Sequence, residues 1–305
     1  MDVVGALVDG PRAQRAFALK AVFEAPWSIT VEDRAPLTVV VMARGRATFT
    51  GSQGACEVAV GDVVLVRGGE PYTLADGVDT PADIRILPGQ VCVDPNGRIL
   101  AEQMALGVRS WGNTRSADAT VMLIGTYEQE TSVGSLLLSR LPRELVVRDL
   151  EPALVELFAA EVVGDEPGQS AVVDRLLDLV VVRCARTVVA PSSGGSVDPL
   201  VARARRALEE RLDEPWTVES LARCVGLSRA ALARRFAQEV GEPPLTYLTR
   251  WRLAVAADLM LGTDLTLASI AVQVGYANAF ALSAAFKRVR GESPRDFRHR
   301  HRHAA

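Results

Sequence analysis

Histidine is almost missing from these 305 residues: its three copies, His299, His301 and His303, all stand near the C-terminal end. Imidazole is the commonest protein ligand of iron, manganese and zinc, so a histidine-held metal centre is excluded from the rest of the chain. A hard cation bound by carboxylates alone stays open, but no stretch gathers the acids, and no metal or other cofactor is expected. Cysteine is scarce as well. Cys56, Cys92, Cys184 and Cys224 are scattered, without the close pairs of a zinc site or the density of a disulfide framework. Cys56 and Cys92 fall in predicted strands, where they are either two small core residues or, if exposed with a lowered pKa, a redox pair. No apolar run approaches the roughly 20 uninterrupted residues of a membrane span, and the N-terminus lacks the basic-then-apolar order of a secretion signal. No membrane partner is expected, and the cytoplasm is the expected compartment.

What is present is a chain with 49% hydrophobic and 23% charged residues, long enough for two domains with cores of their own. Its net charge of −3 conceals a partition. Residues 201–305 hold 17 Lys and Arg against 11 Asp and Glu, a balance of +6; the first 200 hold 17 against 26, a balance of −9. A basic end on an acidic body fits a polyanion-binding domain joined to one that does not bind. The join is legible: Val188 to Ser196 mixes Pro, Ser and Gly, and Asp198-Pro199 then offers an N-cap and a first-turn proline. The expected division is a domain over 1–190, a flexible linker over 191–197 and a second domain over 198–305.

The second domain repeats itself. Thr217-Val218-Glu219-Ser220-Leu221-Ala222, then Val225-Gly226, returns 49 residues later as Thr266-Leu267-Ala268-Ser269-Ile270-Ala271, then Val274-Gly275. Beyond the glycines the offset becomes 50: Leu232, Phe236, Gly241 and Pro244 recur as Leu282, Phe286, Gly291 and Pro294. Each copy reads as a helix-turn-helix. Ala222 and Ala271 are small where two helices cross, and Gly226 and Gly275 supply the positive φ of the turn. Ser228 and Asn278 are expected to cap the second helix of each copy, and the i, i+4 pairs Leu232/Phe236 and Leu282/Phe286 to face inward. An arginine-rich helix from Pro199 to about Leu212 precedes the first copy. Another of some 18 residues, from Pro244 to about Leu261 and roughly 27 Å long, separates the two reading helices by about one DNA turn.

Ser269-Ile270-Ala271, Val274-Gly275-Tyr276, Ala285-Phe286-Lys287-Arg288 and Gly291-Glu292-Ser293-Pro294 resemble the signature of the AraC/XylS family of transcription regulators. The resemblance covers about 100 residues and implies two helix-turn-helix units joined by a long helix, reading successive major grooves of double-stranded DNA. Carried over by position, the first reading helix presents Arg229, Ala230, Ala233 and Arg234 behind its cap Ser228. Arg234 is assigned a bidentate guanine contact and Arg229 a phosphate. The second presents Ala279, Phe280, Ala281, Ser283 and Ala284, with alanine where many relatives carry arginine, which weakens its sequence reading. Phe280 either touches a thymine methyl or packs on a neighbouring helix; Lys287, Arg288 and Arg290 are assigned to the backbone, with a solvated surface charge as the alternative for each.

The N-terminal half has closely spaced short strands, read at Leu37–Thr50, Cys56–Val60, Val63–Val66, Tyr72–Leu74, Asp83–Leu87 and Gln90–Val93, which suggest a small β-barrel or jelly roll. Gly61-Asp62-Val63-Val64-Leu65-Val66-Arg67-Gly68-Gly69 resembles a turn and strand of a cupin, as in many AraC-type sensor domains. That resemblance puts Tyr72 where catalytic cupins carry a metal-binding histidine, so binding or assembly is expected, not catalysis. Helices follow from Pro152 to about Val163 and from Gln169 to about Thr187. The second is so rich in Val and Leu that it is either fully buried or has one side in a partner subunit. The alternating tail Arg298-His299-Arg300-His301-Arg302-His303 is either a metal or phosphate ligand or a frayed end.

The expected fold class is therefore α+β multidomain: an N-terminal cupin-like β-barrel with following helices, then an all-α domain of two helix-turn-helix units. The expected function is a DNA-binding transcription regulator and not an enzyme, with a small-molecule effector of unknown identity, a homodimer, and RNA polymerase as partner if it activates.

Overall fold

A computed structural model describes residues 16–127, 141–189 and 198–302. These fall into two compact units that divide at residue 188.

The N-terminal unit is two sheets around one core. The seven-stranded sheet runs β10 (Ala105–Gly107), β11 (Ser110–Gly112), β1 (Ala16–Phe23), β12 (Thr120–Tyr127), β3 (Leu37–Arg44), β6 (Val63–Arg67) and β13 (Glu144–Val147). The six-stranded sheet runs β5 (Gly54–Ala59), β4 (Arg46–Gly51), β7 (Tyr72–Ala75), β2 (Ser28–Val31), β8 (Ile84–Leu87) and β9 (Val91–Val93). Phe23, Met42, Val64 and Met122 from the first sheet meet Ile29, Phe49, Leu74 and Ile84 from the second, with Trp27 beside them. Among the described residues no ladder joins one sheet to the other, so the unit is a sheet-rich cupin-like sandwich rather than a closed barrel.

The stretch read as one strand over 37–50 is two. Gly45, at φ +76°, turns the chain from β3 in one sheet to β4 in the other, and Thr120 leaves no room there for a side chain. Within β3, Leu37 to Met42 are all buried. The reason is cover on both faces. Helix α1 (Pro152–Val162) packs across β1, β3 and β12, and Leu177 of helix α2 (Gln169–Val189) occupies the space that a side chain on Gly125 of β12 would need.

The C-terminal unit contains α3 (Pro199–Glu210), α4 (Val218–Val225), α5 (Arg229–Val240), α6 (Pro244–Gly262), α7 (Leu267–Gln273), α8 (Ala279–Arg290) and α9 (Pro294–Arg302). It has two cores. Val201, Leu208, Leu221, Leu232 and Phe236 pack with Tyr247, Leu248 and Trp251 of α6. Leu253, Ala256, Ala257 and Met260, further along the same helix, pack with Ile270, Leu282, Phe286 and Phe297. Buried residues therefore surround α6 instead of forming one stripe, as a helix shared by two cores requires.

Candidate nucleic-acid interface

Local chemistry sets the ends of both helix-turn-helix units. Thr217 and Ser220 form a reciprocal capping box at α4, each side chain accepting from the other's backbone N–H at 3.0 and 2.9 Å. Thr266 accepts from the Ser269 N–H at α7. The two reading helices are capped as the sequence predicts: Ser228 accepts from the Ala231 N–H at 3.2 Å, and Asn278 from the Ala281 N–H at 2.9 Å. Gly226 and Gly275 both have φ +76°, in the left-handed region that favours glycine.

The inward pairs then fix which face of each reading helix stays free. Leu232 and Phe236 are fully buried, as are Leu282 and Phe286. Phe236 meets the Tyr247 ring at 5.7 Å, and Phe286 the Phe297 ring at 5.3 Å, both edge to face. Away from these contacts, Arg229, Ala230 and Arg234 are exposed on α5 and Ala233 is half-buried. On α8, Phe280 is 85% exposed, Ala284, Lys287 and Arg288 are exposed, and Ala279, Ala281 and Ser283 are half-buried. Phe280 accordingly does not pack into a neighbouring helix.

Many cations of this unit hold the fold. Arg235 reaches the Asp198 carboxylate at 3.0 Å, joining α5 to the N-cap of α3. Arg205 lies 3.6 Å from the buried carboxylate of Glu209, which also accepts from the Tyr247 hydroxyl. Arg211 and Arg223 pair with Glu214 and Glu219, and Arg250 with Glu242. Arg252 of α6 donates to the carbonyl oxygens of Leu212 at 2.8 Å and Glu214 at 2.7 Å, and its guanidinium lies 5.8 Å from the Tyr276 ring in the turn of the second unit. Burial pulls its pKa below the usual arginine value, with Tyr276 and Asp213 acting in the opposite direction. Arg298 of α9 uses the same device on the second unit, donating to Met260 and Leu265 carbonyls at 3.2 and 3.1 Å. Arg290, assigned from sequence to the backbone of DNA, is half-buried over the rings of Phe286 and Phe297 at 5.4 and 5.5 Å.

Arg229 and Arg234 on α5 and Lys287 and Arg288 on α8 are exposed, and none forms an ion pair with a described residue; the same holds for Arg206 on α3 and Arg295 on α9. The exposed cations of α5 and α8 thus lie on helices capped by Ser228 and Asn278, and Phe280 is exposed on the same helix as Lys287 and Arg288.

The remaining sequence candidates resolve differently. Tyr72 is buried at the start of β7, where burial first, and then the Asp33 carboxylate, push its phenol above the ordinary range while Thr38 hydrogen-bonds to it. Among the described residues no three His, Cys, Asp or Glu side chains gather as a metal-holding group. Cys56 and Cys92 are free thiols on β5 and β9, the two opposite edges of the six-stranded sheet, and burial pushes the Cys92 thiol up to about 11. Burial of Cys92 thus works against a reactive thiolate. In the tail, α9 runs through Arg302 and the His301 ring packs on Phe297 at 4.6 Å; His303 and the linker 191–197 lie outside the described residues. Sequence reading missed Arg252 and gave Arg298 to the tail as a metal or phosphate ligand or a frayed end, because each acts on carbonyls more than 30 positions away.

Comparison with known proteins agrees with both units. A cupin family model matches residues 2–190 and a helix-turn-helix domain model residues 221–300. A putative AraC-like transcription regulator of Streptomyces lividans is 31% identical over 81% of this chain and 84% of its own length. The HTH-type transcriptional regulator AlkR of Acinetobacter baylyi is 27% identical over 98% of this chain and 99% of its own. The DNA-binding domain of the global transcriptional factor AdpA, solved in complex with a target DNA, is 32% identical over 35% of this chain and 96% of that domain, with a TM-score of 0.34.

Proposed function

The chain belongs to the AraC-type transcription regulators, in which a cupin domain precedes a helix-turn-helix DNA-binding domain, and from that premise we propose how its residues divide the work. The reading helix α5 sets sequence preference through Arg234, with Arg229 on phosphate. The reading helix α8 contributes Lys287 and Arg288 to the backbone and Phe280 to an apolar contact such as a thymine methyl, while Ala279, Ala230, Ala233 and Ser283 let the helices approach the groove closely. One observation carries this reading: each reading helix presents exposed cations without ion pairs, Arg229 and Arg234 on α5 and Lys287 and Arg288 on α8, whereas Arg205, Arg235 and Arg252 are engaged with carboxylates and carbonyls.

The N-terminal unit then serves as the sensor and assembly part. Val172 and Leu179, about 40% exposed and two turns apart on α2, form a small apolar stripe that supports a homodimer through this helix. Effector binding in the cupin unit changes how the paired DNA-binding units are presented, with RNA polymerase as the further partner where transcription rises. The protein does no chemistry in this reading and works in the cytoplasm beside the chromosome. Among the described residues no helix is long and apolar enough to cross a membrane.

The test is fluorescence anisotropy of the full chain on a labelled fragment of its own upstream region, against scrambled DNA, over a salt series. Preference for the upstream fragment with a steep salt slope is expected. Absence of DNA binding at low salt overturns the reading.

A further inference from the structure

Between the two sheets of the N-terminal unit lies a cavity of about 220 Å³. Its walls are mainly aliphatic: Leu19, Ile29, Val31, Leu74, Ile86 and Ile124. A dry cavity of roughly 150 Å³ takes a six-atom ring, so this one has room for about nine non-hydrogen atoms, well below a drug-sized ligand.

The polar groups on the wall are unequal. Asp33 is satisfied, accepting from the Ala35 N–H at 3.0 Å and the Gln90 side-chain amide at 2.8 Å. The Tyr72 hydroxyl is engaged with Thr38, and Ser110 donates to the Val108 carbonyl. Two donors are left over. The Trp111 indole Nε1 and the Arg109 Nη1 are each buried as atoms, and neither has a hydrogen-bond partner among the described residues. A buried donor left unmade costs on the order of 1–3 kcal/mol, so such a pair on the cavity wall marks where an acceptor fits. The backbone holds both in place. Arg109 sits at φ +46° in the β10–β11 turn, its carbonyl accepts from the Lys20 N–H at 2.8 Å, and its Nη2 donates to Ser170 of α2 at 2.8 Å. The Trp111 ring is seated edge-on against Phe23 at 5.5 Å.

We propose that this cavity binds a small alicyclic or branched aliphatic carboxylate of about nine non-hydrogen atoms, its body among the aliphatic side chains and its oxygens on Trp111 Nε1 and Arg109 Nη1. A carboxylate matches the two donors because one belongs to a permanent cation, and charge-assisted bonds are the stronger kind. The assignment rests on the N-terminal unit being the sensor, and it names what that sensor reads. Arg109 also holds α2, the last element of the unit, so the acceptor that engages its free nitrogen acts on the residue that positions this helix.

Calorimetric titration of the full chain with cyclohexanecarboxylate tests this, with cyclohexylmethylammonium as the cation of matching shape. Binding of the carboxylate alone is expected. Trp111→Phe, which keeps the ring and removes the N–H, and Arg109→Gln should each weaken it roughly tenfold; Ile86→Trp, which fills the space, should abolish it. No binding by the wild-type chain, equal binding of the ammonium, or full affinity in Trp111→Phe and Arg109→Gln overturns the proposal. Anisotropy on DNA with the same preparations separates the two readings: DNA binding without carboxylate binding removes this one and leaves the regulator standing.

Discussion

The carbonyl oxygen of Leu212 lies 2.3 Å from the point where a side chain on Gly275 would begin, while Gly226, the matching glycine of the first repeat, has nothing within 4 Å of that point. The two turns share a φ of +76° and a sequence pattern, but only the second is pressed against another part of the unit, where the Arg252 guanidinium lies beside the Leu212 carbonyl.

Substitution should expose that difference. Gly226→Ala is expected to cost about 1–2 kcal/mol, the penalty of a left-handed non-glycine residue. Gly275→Ala carries the same penalty and must also displace Leu212 and the Arg252 guanidinium, adding about 1.5–3 kcal/mol for hydrogen bonds to a charged group. Denaturant unfolding of the two variants measures both; equal losses would mean that the contact with Leu212 has no energetic weight.

Arg234→Ala is expected to cost about 1–3 kcal/mol on the specific site and to relax preference at one base pair. Arg288→Ala should instead weaken every sequence alike and reduce the salt slope by about one. Anisotropy on single-base variants of the bound site, over a salt series, distinguishes them, and identical behaviour of the two variants would defeat the division between base reading and backbone contact.

How much of this was visible in the sequence depended on range. The caps at Ser228 and Asn278 and the glycine turns were legible because each is settled within four residues of itself. The start of α6 at Pro244 was equally plain, as was most of its length. The break at Gly45, between Arg44 and Arg46, was not, since the contact that leaves no room for a side chain there comes from Thr120, far along the chain. Strands β1, β2, β10, β11, β12 and β13 went unread: β10 and β11 are three residues each, too short to show a period, and β12 is buried at most of its positions. The wall of the cavity is assembled from many separate strands, so neither Arg109 nor Trp111 carried a local signal.

Cys92 makes a prediction in pH. With its pKa raised by burial to about 11, the neutral thiol is favoured, and at pH 7 only about one molecule in 10,000 carries the thiolate, against a few per cent for a free cysteine. Alkylation of Cys92 by iodoacetamide, followed by mass spectrometry, should be slow at pH 7 and rise roughly tenfold per pH unit through pH 10. A rate that levels off below pH 9 would restore the redox reading.

The dimer depends on α2. Light scattering at micromolar concentration is expected to give twice the chain mass, and Leu179→Glu, at a position 43% exposed, should give the single-chain mass with little loss of melting temperature. A wild-type monomer would remove the dimer from the proposal.

Because α6 gives its first half to one core and its second half to the other, the repeated units are not two beads on a string. Opening either core strips half the packing from a helix that the other core also needs, and Arg252 adds a tie from that helix to both. The expected consequence is thermodynamic cooperativity: the DNA-binding half should unfold in one step, with its two reading helices acting as a single caliper.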